Sequence, residues 1–164
     1  SIRRRNLLRQ LERMSYRDQL TQFGNRYAVD WFVEHEWNGE QIGVVYCDIT
    51  GLKKVNDEQG HEAGDRLIIR ACECLAGVFK GYGLYRIGGD EFLVLCLGIE
   101  EKDLREHVEK LRMDMKEHQV TMAVGMIWKE HGPKDIDLLL NESERLMYED
   151  KDRYYKEHGL KRRR

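Results

Sequence analysis

Tyr85-Arg86-Ile87-Gly88-Gly89-Asp90-Glu91-Phe92-Leu93-Val94-Leu95 is the stretch on which the reading of this chain turns. Apolar and aromatic residues flank a Gly-Gly-Asp-Glu centre, a pattern that predicts two strands joined by a tight hairpin. The two glycines are expected to supply the positive φ angles of a short turn and to leave its backbone open to another molecule. Two acids follow at the mouth of the second strand. Adjacent carboxylates resist joint ionisation, and a cation would relieve them. Taken alone, the stretch fits a cation site or a solvated turn that happens to hold two acids.

Upstream, Ile42 to Ile49 is an apolar, β-branched run that reads as a central strand, and it contains a third acid, Asp48, near its end. The segment Thr50 to Asp65 then offers a glycine turn followed by a helix start with Lys53, a natural cradle for phosphate through backbone N–H groups and one cation. From Arg66 a long helix turns Leu67, Ile68, Ala71, Leu75, Val78 and Phe79 inward. Downstream come a helix over 101–118 and a strand from Val120 to Trp128, interrupted by Gly125. A last helix is striped by Ile136, Leu140, Ser143 and Met147. Lys151 continues that stripe, and it either snorkels to water or reaches a phosphate. The order of elements gives an α/β domain with the antiparallel hairpin in the middle of the sheet and helices on its faces.

At the N-terminal side, Leu7, Leu11 and Met14 make a narrow seam on a basic helix, compatible with a two-stranded coiled coil or with packing on its own domain. Asn25 is placed to cap the next helix, which bears Ala28, Trp31, Phe32 and His35. The 164 residues are enough for one domain with a real core, and 35% charged residues nearly cancel to a net charge of −2. No global field therefore points to nucleic acid or an anionic membrane. No apolar run approaches the roughly 20 residues that span a bilayer. Cys47, Cys72, Cys74 and Cys96 lack the spacing of a zinc site and read as reduced core thiols. Lys161-Arg162-Arg163-Arg164 reads as a basic tail.

Together these pieces resemble the GGDEF family of diguanylate cyclases. The resemblance rests on five motifs in order: Asp18-x-Leu20-Thr21-x-x-x-Asn25-Arg26; Asp48 with Lys53 and Asn56-Asp57; Gly60-His61 with Gly64-Asp65; Gly88-Gly89-Asp90-Glu91-Phe92; and Met147-Tyr148-x-x-Lys151. It implies a palm-like, α+β nucleotidyl-cyclase fold with a mostly antiparallel sheet flanked by helices and a preceding signalling helix. The expected division is a helix stub over 1–17, a catalytic domain over 18–158 and the tail over 159–164. The implied reaction condenses two GTP into cyclic di-GMP and releases two pyrophosphates. The implied setting is cytoplasmic, with neither nucleic acid nor membrane contacted by this domain. The resemblance also implies a homodimer for catalysis and an upstream sensory domain in the full-length protein, which could be membrane-anchored there.

By the same resemblance, Asp48, the Ile49 carbonyl and Asp90 would hold Mg²⁺ or Mn²⁺. Asp90 or Glu91 would take the proton from the attacking hydroxyl. Lys53 with the Gly51 and Leu52 amides would hold the β- and γ-phosphates, and Lys151 would add a cation. Asn56 and Asp65 would read guanine, with His61 beside them. Three departures stand out. The family's inhibitory arginine and acid would fall at Phe79 and Tyr82. Thr50 and Leu52 replace a usual acid and phenylalanine. Tyr155 stands where an arginine is usual, with Arg153 as a substitute. The rival reading is a receptor domain that binds GTP or cyclic di-GMP without turnover, set against by the intact Asp48, Lys53, Asp90 and Glu91. A pure dimerisation module would leave those charges without a purpose.

Overall fold

The computed structural model describes residues 1–160, apart from the side chains of 12–14; the Met14 position of the seam and the tail Lys161–Arg164 lie outside the described residues. The elements are α1 (Ile2–Tyr16), α2 (Arg26–His35), β1 (Ile42–Ile49), α3 (Leu52–Gln59), α4 (His61–Val78), β2 (Gly83–Arg86), β3 (Glu91–Leu97), α5 (Glu101–Glu117), β4 (Met122–Lys129) and α6 (Asp137–Glu157). The strands form one sheet in the order β2-β3-β1-β4, antiparallel at each junction.

All eight residues of β1 are buried, because helices cover both faces of the sheet. Val45, Cys47 and Ile49 pack with Leu75, Phe79, Leu104 and Leu111 of the α4 and α5 layer. Val44 and Tyr46 alternate onto the opposite face, among Val29 and Phe32 of α2 and Leu139 and Met147 of α6. Asp48 shares that second parity, so its side chain points toward α6. The four cysteines are buried free thiols, as their spacing predicts.

Three details differ from the sequence reading. The hairpin is not central: β3 lies inside the sheet, but β2 is an edge strand, because β1 returns between β3 and β4. The Thr50–Asp65 segment is more helical than expected. Gly51 enters α3 at φ 82°, and Gly60 joins α3 to α4 at φ 92°, positions that favour glycine. Gly125 does not interrupt β4. A Cβ there would strike the Ser143 carbonyl and the Met147 amide, so this glycine lets the α6 backbone lie directly on the strand. Ser143, buried at that contact, donates its hydroxyl to the Leu140 carbonyl at 2.8 Å.

Both sheet edges make contacts outside the sheet. The loop before α2 pairs with β2, as the Gly24 amide donates to Leu84 and the Arg86 amide donates to Gly24. On the other side, the Val124 amide donates to the Asp150 carboxylate of α6 at 2.8 Å. Such contacts reduce the open ladder groups that invite edge-to-edge association. Asn25 caps α2 as expected, accepting from the Ala28 amide at 3.0 Å. Leu7, Leu8 and Leu11 of α1 are exposed. Among the described residues, no helix is long and apolar enough to cross a membrane.

Candidate active site

The end of β1 and the turn before β3 form the floor of a cavity of about 570 Å³. Its lining includes Ile49, Gly51, Leu52, Lys53, Asp90 and Lys151, which the sequence brought forward separately. The rest of the wall includes Lys54, Tyr154 and Tyr155. Backbone pairing fixes the relative placement of the two acids: Asp48 lies opposite Glu91 in the register, and the Ile49 amide donates to the Asp90 carbonyl at 2.8 Å.

Asp48 is only 3% exposed, and its environment is electrostatically incomplete. Lys151 donates from Nζ to Oδ2 at 2.8 Å, while Oδ1 is buried without a partner. Burial, aided by the nearby Asp90 charge, pushes the Asp48 carboxyl up to about 6 although Lys151 pulls it down. Lys151 is itself held above the ordinary lysine range: its burial works the other way, but the bond to Asp48 prevails. One cation serves one oxygen of the carboxylate. An orphaned, buried carboxylate oxygen facing a second acid is a hard-oxygen donor set that a divalent cation fits. Among the described residues no group of three or more His, Cys, Asp or Glu gathers round one point, so backbone oxygen would have to complete such a set.

The signature turn differs from the predicted one. Ile87 to Asp90 is a four-residue loop closed by the Ile87 amide donating to the Glu91 carbonyl at 2.9 Å. Neither Gly88 nor Gly89 has a positive φ. A Cβ on Gly89 would meet nothing within 4 Å, so the glycines leave the turn bare rather than relieving strain. Arg86 ties the turn to the leading loop. Its Nε and Nη2 donate to the Gly89 carbonyl at 3.2 and 2.8 Å, and its Nη1 lies 3.2 Å from both Asp18 oxygens. Burial works to raise Asp18, but the bonds from Thr21 and Arg86 outweigh it and hold the carboxyl below its ordinary value.

Glu91 points elsewhere. Its Oε2 lies 2.7 Å from the Tyr46 hydroxyl, which is also 2.7 Å from Glu144 Oε2 of α6. Burial first, and then these two acids, push the Tyr46 phenol far above its ordinary range. Nothing in the apolar alternation of β1 distinguishes Tyr46 from a core residue, and the sequence reading missed both it and Glu144.

Asn56, His61 and Asp65 lie outside the cavity lining, on the facing helices α3 and α4. Asn56 is half-buried and the other two are exposed. A Cβ on buried Gly64 would collide with the Asn56 Oδ1, so this glycine makes room for the Asn56 amide. At the remote end of α4, Phe79 is fully buried, and Phe79 and Tyr82 stand 5.7 and 6.2 Å from the His107 ring.

The family profile "Diguanylate cyclase, GGDEF domain" matches residues 15–156. The chain therefore belongs to the GGDEF-domain family, whose named relatives work in cyclic di-GMP signalling. It is 30% identical over 151 residues to the cyclic di-GMP phosphodiesterase PdeR of Escherichia coli K12, covering 82% of this chain and 22% of that protein. It is 28% identical to the diguanylate cyclase DgcP of the same organism, covering 84% of this chain and 45% of that protein. The chain thus spans less than half the length of either relative. The coiled coil and GGDEF domain of DgcB from Caulobacter crescentus, solved in complex with c-di-GMP, superposes with a TM-score of 0.80 at 21% identity, over 96% of this chain and 89% of that one. That likeness shows the same fold, an antiparallel sheet flanked by helices.

Proposed function

We propose that the domain is a working diguanylate cyclase that joins two GTP molecules into cyclic di-GMP and releases two pyrophosphates. The observation that carries the reading is the Asp48 carboxylate, buried and half-satisfied beside the cavity that Asp90, Lys53 and Lys151 line. An uncompensated buried charge is costly for a fold and useful to a ligand that completes it.

Asp48, Asp90 and the Ile49 carbonyl would hold Mg²⁺ or Mn²⁺, which when bound neutralises phosphate charge and favours ionisation of the attacking 3′-hydroxyl. Lys53, with the Gly51 and Leu52 amides at the start of α3, orients the β- and γ-phosphates, and Lys151 adds charge from α6. Asp90 rather than Glu91 is the favoured proton acceptor, because Asp90 opens on the cavity while a Glu91 oxygen is engaged by Tyr46. Asn56 and Asp65 read the base: a carboxylate accepts from both N1–H and the 2-amino group of guanine, an edge adenine lacks. With one such cavity per domain, two copies must meet, and the exposed Leu7 and Leu11 of α1 favour an upstream partner that sets their geometry.

The rival is a receptor that holds nucleotide without turnover, consistent with relatives that are phosphodiesterases by name. Incubation with GTP and Mg²⁺ separates the two. Cyclic di-GMP accompanied by two pyrophosphates per product supports the enzyme. Bound GTP recovered intact overturns it.

A further inference from the structure

Tyr46 is 4% exposed and sits between Val44 and Asp48 on the strand face turned to α6, among apolar neighbours where phenylalanine would fill the same space. Its hydroxyl instead joins three elements: Tyr46 of β1, Glu91 of β3 and Glu144 of α6, with both carboxylate oxygens at 2.7 Å. One partner would satisfy the phenol. The hydroxyl has one hydrogen, which serves one carboxylate at a time, so the second acid brings like charge into a half-buried junction. Stability alone does not favour that arrangement.

What the junction supports is the signature turn. The Glu91 side chain runs beneath Gly88: a Cβ on that glycine would meet the Glu91 Cβ at 3.4 Å and its carboxyl carbon at 3.7 Å. The Glu91 carbonyl receives the Ile87 amide, which closes the loop that carries Asp90, and the Asp90 carbonyl receives the Ile49 amide. Fixing the Glu91 carboxylate therefore fixes both ends of the turn.

We infer that Tyr46 is a positioning residue for Asp90: its hydroxyl, braced by Glu144, anchors Glu91, and Glu91 holds the Gly88–Asp90 turn against the end of β1. The inference rests on the cyclase reading for its kinetic consequence and on the unliganded protein for its structural one. Tyr46→Phe keeps the ring and removes the anchor. Amide hydrogen exchange at Ile49 and Ile87 should quicken at least tenfold in the unliganded variant, with exchange in α4 unchanged. With GTP, kcat should fall roughly tenfold at nearly constant KM, and the same substitution should cost nothing further on a Glu91→Leu background, which offers the phenol no acceptor.

Unchanged exchange at both amides, or acceleration throughout the protein, overturns the inference, as does an additive loss of kcat on the Glu91→Leu background. A wild type that releases no pyrophosphate sinks the cyclase reading, and the exchange comparison still decides whether Tyr46 anchors the turn.

Discussion

At the end of β1 the fold buries charge that it only half compensates, whereas at the end of α4 it fills comparable positions with rings. Asp48 has one oxygen on Lys151 and the other on nothing. Phe79, where the family's inhibitory arginine would stand, is sealed in the core beside His107, with Tyr82 next to it. The first arrangement is intelligible where a ligand completes the site; the second is ordinary core packing that needs no ligand. The contrast teaches that this domain keeps charge where nucleotide and cation are proposed to bind, and packs rings at the positions where the resemblance leads one to expect an inhibitory arginine and acid.

Removing a ring from the α4 end should cost most. Phe79→Ala leaves a cavity among fully buried neighbours and should destabilise the domain by about 3–5 kcal/mol in denaturant titration. A loss below about 1 kcal/mol would mean that Phe79 is not part of the core.

Breaking the pair at the β1 end should cost less and depend on pH. Asp48 titrates near 6 when folded and near 3.8 when unfolded, so the folded state binds the extra proton between those values. Its contribution is fully present below about pH 4 and is lost as pH rises through 6, on the order of 3 kcal/mol in the unliganded protein. Lys151→Met removes the group that lowers Asp48. The variant should be weaker than wild type by about 1–3 kcal/mol at pH 8 and nearly equal to it at pH 4. A deficit of equal size at both pH values would show that Lys151 acts by packing.

Asp65→Ala should weaken GTP binding by about 1–3 kcal/mol in calorimetry and leave ATP binding unaltered. Equal affinity of the wild type for the two nucleotides would remove Asp65 from base reading. The smallest effect is expected from product. Rising cyclic di-GMP should give at most weak competition with GTP, since Phe79 and Tyr82 offer neither guanidinium nor carboxylate and Lys80 lacks the bidentate fork. Tight noncompetitive inhibition would dissolve the contrast between the two ends.

Much of the fold was legible because periodicity and burial agree: β1, α4, α5 and the stripe of α6 carry apolar residues where the core needs them. Sheet order was not legible, since nothing local to β2 and β3 says that β1 returns beside β3 and leaves β2 at the edge. The turn was misread for a similar reason. Two adjacent glycines fit a left-handed two-residue turn, but a four-residue loop meets the same ends without positive φ, and only the pairing of Ile87 with Glu91 decides between them. Asp48, Asp90, Lys53 and Lys151 stood out because charge in an apolar context is conspicuous. Tyr46 did not, because a tyrosine on a buried strand looks like any aromatic core residue until its hydroxyl is seen between two acids.

The β1 end is tested most directly by initial rates of pyrophosphate release from GTP, with Mg²⁺, for the wild type and Asp90→Ala side by side. The account predicts turnover by the wild type that stops on chelation of the metal. It predicts less than a few per cent of that rate from the variant, with a melting temperature equal to or slightly above wild type because one of two repelling carboxylates is gone. A variant that keeps substantial activity, or that loses it only by unfolding, would contradict the placement of Asp90 at the reacting end of the cavity.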